Sequence, residues 1–302
     1  MTHGKIAFTL IVLVALLALS TAAVAPALKF TFKDVTAPGA AETDSYAINV
    51  GGTITGDYVD SAGAQHGMIL KGKTLTTADN KNCVTTPGSA STDGIQFYGI
   101  NSAGVLAGWC GTTSGSTIGF TYAKGKFTNV TIKGASLVEA NGINDAGNIV
   151  GSYIDSNGAQ HGFLLVGKKL TTLDPPGASS SSQAWSINDK GVITVFAANS
   201  GGTYVSFTTT NGKKYTPFNP PGQGTSGVAI HGINNLGDID ATLFDTAGDR
   251  HGILLHKGKF YSFDDPNGVG ATRADGINDK LGMVGRYGSG TYGGTGFFVQ
   301  AK

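Results

Sequence analysis

One dipeptide, Ile-Asn, returns six times along the chain, as Ile48-Asn49, Ile100-Asn101, Ile143-Asn144, Ile187-Asn188, Ile233-Asn234 and Ile277-Asn278. The successive intervals are 52, 43, 44, 46 and 44 residues. A period near 44 suits the blades of a propeller and is too long for leucine-rich repeats. Whatever the fold, it must be an array of about six like units.

The third unit shows how one repeat is built. Four short apolar runs, Ala140–Asn144, Asn148–Tyr153, His161–Val166 and Leu170–Asp174, are separated by turn residues and closed by Pro175-Pro176-Gly177. Strands of five or six residues with hairpin turns use up the whole period, so no helix fits. The turn Asn144-Asp145-Ala146-Gly147 has a mechanism: an Asx side chain bonds its own backbone while Gly takes the left-handed position. Such a sheet is apolar on both faces and must stack on its neighbours, and a ring of sheets removes the loose ends. The sixth unit stops after its third run, and the missing strand is supplied by Lys29–Val35, which echoes Lys259–Asp265. The expected fold is therefore all-β, a six-bladed β-propeller of four-stranded antiparallel blades in which the N-terminal strand completes the last blade. The blades are expected near 44–89, 93–136, 138–180, 183–223, 228–270, and 273–302 together with 28–40.

The phrases Gly142-Ile143-Asn144-Asp145, Ile149-Val150-Gly151, His161-Gly162-Phe163-Leu164-Leu165 and Pro176-Gly177-Ala178 resemble the bacterial exported repeat family called HAF, over about residues 28–302. The family tripeptide stands here as His66-Gly67-Met68, His161-Gly162-Phe163 and His251-Gly252-Ile253, with Gly in place of Ala, and units two, four and six lack the His. The resemblance implies an exported, propeller-like protein and carries no activity with it.

Residues 1–27 read as a signal peptide: Lys5 closes a short basic region, Ile6–Leu19 is apolar apart from Thr9, and small residues follow to Ala27. Cleavage is expected after Ala23 or Ala27, with retention as an uncleaved anchor the alternative, and 28–302 forms a single domain, secreted or periplasmic. Lys plus Arg number 21 and Asp plus Glu 20, so without Lys5 the mature chain is neutral. A neutral surface has no electrostatic footprint for nucleic acid or anionic lipid. In an oxidising compartment the only two cysteines, Cys83 and Cys110, are expected to pair, because both fall on one rim of adjacent blades. A monomer is expected.

Familiar catalytic spacings are missing. There is no G-x-S-x-G, H-E-x-x-H, C-x-x-C or EF-hand loop. Gly288–Gly293 matches G-x-G-x-x-G but has no helix behind it, so it reads as a hairpin loop. His66, His161 and His251 lie on third strands, too far from the axis to share one metal ion, and read as imidazoles bonding nearby backbone. Asp60, Asp155, Asp245 and the pair Asp264-Asp265 read as turn residues. No cofactor is expected, and Ca²⁺ has no specific motif.

Positions that differ between repeats carry more information about function, because those held constant serve the blade. The residue before Ile-Asn is always small: Ala47, Gly99, Gly142, Ser186, Gly232, Gly276. One earlier stand Tyr46, Tyr98, Asn141, Trp185, His231 and Asp275, and two before those stand Asp44, Gln96, Glu139, Gln183, Ala229 and Arg273. On innermost strands these should ring a mouth of the central channel, where aromatic, amide and charged groups converge as in a ligand site. The candidate ligand-binding set is Asp44, Tyr46, Tyr98, Glu139, Asn141, Trp185, His231, Arg273 and Asp275. Three readings follow. The first is a non-enzymatic scaffold binding another extracellular protein or the envelope; the second is a module binding a glycan or small polar ligand at the channel mouth. The third is a Ca²⁺-dependent hydrolase or lyase resting on Asp44, Glu139, His231 and Asp275.

Overall fold

The computed structural model describes residues 28–84, 94–178, 181–288 and 294–302. The signal segment expected at 1–27 and the tip of the Gly288–Gly293 loop lie outside the described residues. Those described form strands and turns, with no helix among them. In the third repeat, strands Leu137–Ile143, Ile149–Ile154, Gln160–Val166 and Lys169–Leu173 pair antiparallel in sequence order. The same meander is repeated with inner strands Ala40–Ile48, Gln96–Ile100, Ser181–Ile187 and Val228–Ile233. The last inner strand, Thr272–Ile277, leads through Gly282–Tyr287 to Thr295–Ala301, whose outer neighbour is Phe30–Val35 in a six-residue antiparallel register. The strand missing from the end of the chain is thus supplied by its beginning.

The turn chemistry is as the sequence implies. Asn144 Oδ1 accepts the N–H of Asn148 at 3.0 Å while Gly147 takes φ 77°. The other end of the same side chain reaches sideways, its Nδ2 donating to the Asn188 carbonyl at 3.2 Å. Every Ile-Asn repeats this. Asn49 donates to Asn101, Asn101 to Asn144, Asn188 to Asn234 and Asn234 to Asn278, and Asn278 returns to Asn49 at 3.1 Å. The Asn therefore closes its own hairpin and ties its meander to the next, which is why it does not vary.

Apolar side chains fill the wedges between meanders rather than one central core. Leu173, Ala184, Val150 and Ile193 join the third to the fourth, and Met68, Ile54, Val35 and Val284 join the first to the last. Near the axis the backbones nearly touch. A Cβ on Gly142 would lie 2.7 Å from the Trp185 carbonyl and 3.0 Å from Ser186 Cα, so only a small residue fits before each Ile-Asn. Cys83 and Cys110 are disulfide-bonded, with Cα atoms 5.6 Å apart. Closing that 27-residue separation stabilises the fold by about 3.5 kcal/mol in the chain-entropy account.

Candidate functional site

All six inner strands carry a β-bulge, and it falls at the divergent position each time. The register to the second strand skips Tyr46, Tyr98, Asn141, Trp185, the His231-Gly232 pair and Asp275. A bulge leaves its residue outside the ladder and re-aims the side chain. Side-chain oxygens from the second strand occupy two of the freed N–H groups: Ser186 N–H donates to Thr194 Oγ1 and Gly232 N–H to Asp240 Oδ1.

The re-aimed side chains meet around the axis. Tyr46 stacks on Tyr98 at 4.2 Å between centroids, Tyr98 meets Trp185 edge-on at 5.3 Å, and Trp185 meets His231 edge-on at 5.0 Å. Arg273 Nη2 lies 3.5 Å from His231 Nε2, and its Nε donates to Asp275 Oδ1 at 2.8 Å. Arg286, 3.9 Å from Asp275, sits over the Tyr46 ring at 4.8 Å, which completes the circuit.

Six of the nine candidate residues, Tyr46, Tyr98, Trp185, His231, Arg273 and Asp275, are in that circuit. Asp44 is attached to it by accepting the Tyr46 hydroxyl at 3.2 Å. Asn141 turns away and donates to the Ala184 carbonyl at 3.2 Å, which leaves room for Tyr98 and Trp185 to touch across the third meander. Glu139 is tied to Ser152 Oγ, and burial pushes its carboxyl above the usual range. It stands apart from the circuit.

Arg286, Asp57 and Trp109 do not emerge from the inner-strand pattern. All come from second strands: Asp57 lies opposite Asp44, Arg286 opposite Arg273, and Trp109 opposite Gln96 and stacked on Tyr98 at 5.7 Å. Their signal is present in the chain, because Asp57, Trp109, Ser152, Phe196, Thr242 and Arg286 differ from unit to unit just as the inner positions do.

A cavity of about 110 Å³ opens among the turns that end the inner strands, with Tyr46, Tyr98, Trp185, His231 and Asp275 in its wall. Asp44, Glu139, Asn141 and Arg273 do not line it. At its rim Ser102 N–H donates to Asp145, Asp145 N–H to Asp189, Asp189 N–H to Asn235 and Asn235 N–H to Asp279, each at 2.8 Å. Burial, then the neighbouring Arg273 charge, brings His231 down to about 3, so a neutral imidazole faces the cavity. Burial pushes Asp240 up to about 8. Three lining residues hold buried atoms that lack a hydrogen-bond partner: Trp185 Nε1, His231 Nδ1 and Asp275 Oδ2. Orphaned polar atoms cost about 1–3 kcal/mol each unless something outside the chain satisfies them. Among the described residues no group of three or more His, Cys, Asp or Glu is arranged to hold a metal ion.

The three repeat histidines are far from this centre and bind differently from expectation. Each bridges two carboxylates rather than backbone: His66 contacts Asp79 at 2.8 Å and Asp60 at 3.3 Å, His161 contacts Asp174 at 2.7 Å and Asp155 at 3.5 Å, and His251 contacts Asp264 at 3.0 Å and Asp245 at 3.4 Å. Asp60, Asp155 and Asp245 also close their turns as read from sequence. Asp265 does the same by accepting Asn267 N–H, whereas Asp264 is a clamp residue.

No family model and no curated protein matches the chain. Among solved structures it is similar to a mutant of Aleuria aurantia lectin in complex with α-methyl-L-fucoside, with 13% identity over 85% of this chain and 90% of that one and a TM-score of 0.53. TolB from Acinetobacter baumannii is 11% identical over 82% of this chain and 63% of that chain, TM-score 0.59. The SapL1 lectin in complex with α-methyl fucoside is 9% identical over 85% and 92%, TM-score 0.53. At these identities the likeness is one of architecture, and the chain is a β-propeller.

Proposed function

We propose that this is an exported six-bladed β-propeller, of the HAF-repeat type and sealed by its N-terminal strand, that binds a saccharide or similar polar ligand in its central channel without transforming it. One observation carries the reading: five of the six bulges deliver aromatic, imidazole and carboxylate side chains to one cavity, where the Trp185 indole N–H and an Asp275 carboxylate oxygen have no hydrogen-bond partner in the chain. Aromatic faces beside a free donor and a free acceptor suit a ring that bears hydroxyls, because each hydroxyl both donates and accepts. Waters alone could fill the same volume, but they would not require three aromatic rings in contact. Two of the propellers of like architecture are lectins held with fucosides, which supports the saccharide over the protein-scaffold reading.

The test is a glycan array followed by calorimetry on the mature protein, with α-methyl-L-fucoside among the probes. Specific hits at one site per chain are the expected result. Silence across the array, together with no shift in melting temperature from any sugar, would return the function to the outer loops.

A further inference from the structure

The neutral net charge conceals a separation of charge between the two ends of the propeller. Each turn that joins a third strand to a fourth carries two exposed lysines: Lys124 and Lys126 in the second meander, Lys168 and Lys169 in the third, Lys257 and Lys259 in the fifth. The first and fourth do the same with Lys71 and Lys73 and with Lys213 and Lys214. In the last meander Lys29 and Lys302, both exposed, take that place and exchange backbone hydrogen bonds. Twelve of the 18 lysines in the chain thus ring the periphery of one end. In an up-and-down meander it is the end at which the cavity opens. The opposite end is acidic, its turns from second to third strands holding Asp60, Asp155, Asp245 and Asp249 and no lysine.

Nothing within the fold asks for these lysines. Lys124 and Lys257 stand at φ 50° and 49° before Gly125 and Gly258, where Asn or Asp is the favoured residue. The ion pairs among the described residues use histidine and arginine as cations, and no lysine enters one. Protecting the outer strands as sheet edges would be served by charge of either sign at either end. Apolar side chains gather at the lysine end as well. Of the six large ones that are exposed among the described residues, Val166 and Leu170 flank a lysine turn, and Val50 and Leu236 stand in the inner turns of the same end.

We propose that this end of the propeller is a docking surface for an anionic lipid bilayer, with the lysines among the headgroups and the exposed apolar side chains entering between them. Lysine suits the role because a point charge on a flexible stem meets a fluid layer without needing a fixed partner geometry. A closed ring of charge fits a plane, and apolar tips beside it gain from an acyl boundary but gain nothing from the phosphates of a nucleic acid. The carboxylates of this end, Asp145, Asp189 and Asp279, accept backbone N–H groups at the cavity rim, so they lie inside the ring of lysines and leave its periphery free of acid.

The docking does not rest on the saccharide reading, because it is tested on vesicles that carry no sugar. The mature protein is mixed with vesicles of phosphatidylcholine alone or with about 30% phosphatidylglycerol, and the bound fraction is read by co-flotation at low and at high salt. Binding to the anionic vesicles is expected to be at least about tenfold tighter than to the neutral ones, and to weaken about tenfold as salt is raised. Changing Lys124, Lys126, Lys168 and Lys169 together to Gln should weaken it at least about tenfold. The pair Val166→Ser and Leu170→Ser should weaken it about threefold while leaving the salt dependence as it was. Lys81→Gln, in the loop that follows the first meander at the acidic end, should change nothing. A DNA duplex at the same phosphate concentration should not displace the protein from the vesicles. No preference for anionic over neutral vesicles, displacement by the duplex, or full affinity in the folded fourfold lysine variant would overturn the proposal.

Discussion

Two rings circle the axis within three residues of each other, and they are opposites. The ring of Asn49, Asn101, Asn144, Asn188, Asn234 and Asn278 is chemically uniform and saturated, each side chain closing its own turn and reaching the next carbonyl. The ring of bulge residues, three positions earlier, mixes tyrosine, asparagine, tryptophan, histidine and aspartate and leaves donors and acceptors unused. Both sit at equivalent places along equivalent strands, so the fold demands no less space of one than of the other. What separates them is that the first is satisfied within the chain and the second is not. Framework and site are therefore distinguished by hydrogen-bond completeness rather than by burial, since Tyr46 at 1% and His231 at 2% exposure are as deep as any core residue.

The uniform ring requires the last meander to be whole, and this gives the largest expected effect. Deleting residues 28–36 removes the strand that pairs with Gly296–Ala301 and exposes an edge. The truncated protein should aggregate or melt about 10 °C lower or more. An unchanged melting curve would show that the ring does not need that strand.

Next come two asparagines, one from each ring. Asn188→Ala removes bonds to Lys190 N–H, Val192 N–H and the Asn234 carbonyl, and should cost about 2 kcal/mol. Asn141, though in the divergent ring, spends its amide on the Ala184 carbonyl as a framework residue does, so Asn141→Ala should cost about 1 kcal/mol and leave ligand affinity alone. Denaturant titration measures both. A larger loss at Asn141 than at Asn188 would blur the distinction between the rings.

A smaller, pH-dependent effect is expected from the three His–Asp clamps, which belong to neither ring. Burial lowers each imidazole pKa, but the paired Asp carboxylates outweigh it and raise His66, His161 and His251 above 6.5. Their Asp60 and Asp155 partners are lowered below 3.8, chiefly by backbone N–H donors, and Asp245 likewise despite its desolvation. A raised histidine contributes stability below 6.5 that disappears as pH rises through its folded value. A lowered carboxylate contributes stability above 3.8 that disappears as pH falls. The clamps are thus intact between these limits. The triple variant His66→Gln, His161→Gln, His251→Gln should melt below wild type at pH 5.5 and converge with it by about pH 9. Buried Asp240, raised to about 8, acts in the same direction in both proteins and cancels in the difference. A gap that stays constant with pH would mean the clamps are neutral.

Most of the fold could be read because its determinants are local. The Asn turn, the left-handed Gly, the alternation of short runs and the small residue before Ile-Asn are each settled within a few positions, and the repeat multiplies the signal by six. The disulfide followed from rim geometry for the same reason. The site was legible only along the inner strand. Arg286, Asp57 and Trp109 join it through cross-strand register, and the bulge that aims the inner residues leaves no mark in a hydrophobic pattern. The clamps do leave a mark, but one that spans two strands. His66 and Asp79, His161 and Asp174, and His251 and Asp264 are each 13 residues apart, a regularity that is hidden when the histidines are taken singly.

The central claim is that unused polar atoms in the divergent ring belong to a ligand, and Trp185→Phe tests it most directly. The substitution keeps an aromatic ring against Phe196 and His231 and removes the Nε1–H that has no partner in the chain. Stability should be unchanged or slightly raised, because removing an unsatisfied buried donor costs nothing, while affinity for the best glycan from the array should fall about tenfold. The two quantities are read on one sample by denaturant titration and calorimetry. Undiminished affinity, or a loss of stability above about 1 kcal/mol with no change in binding, would contradict the account and make Trp185 a packing residue like its neighbours.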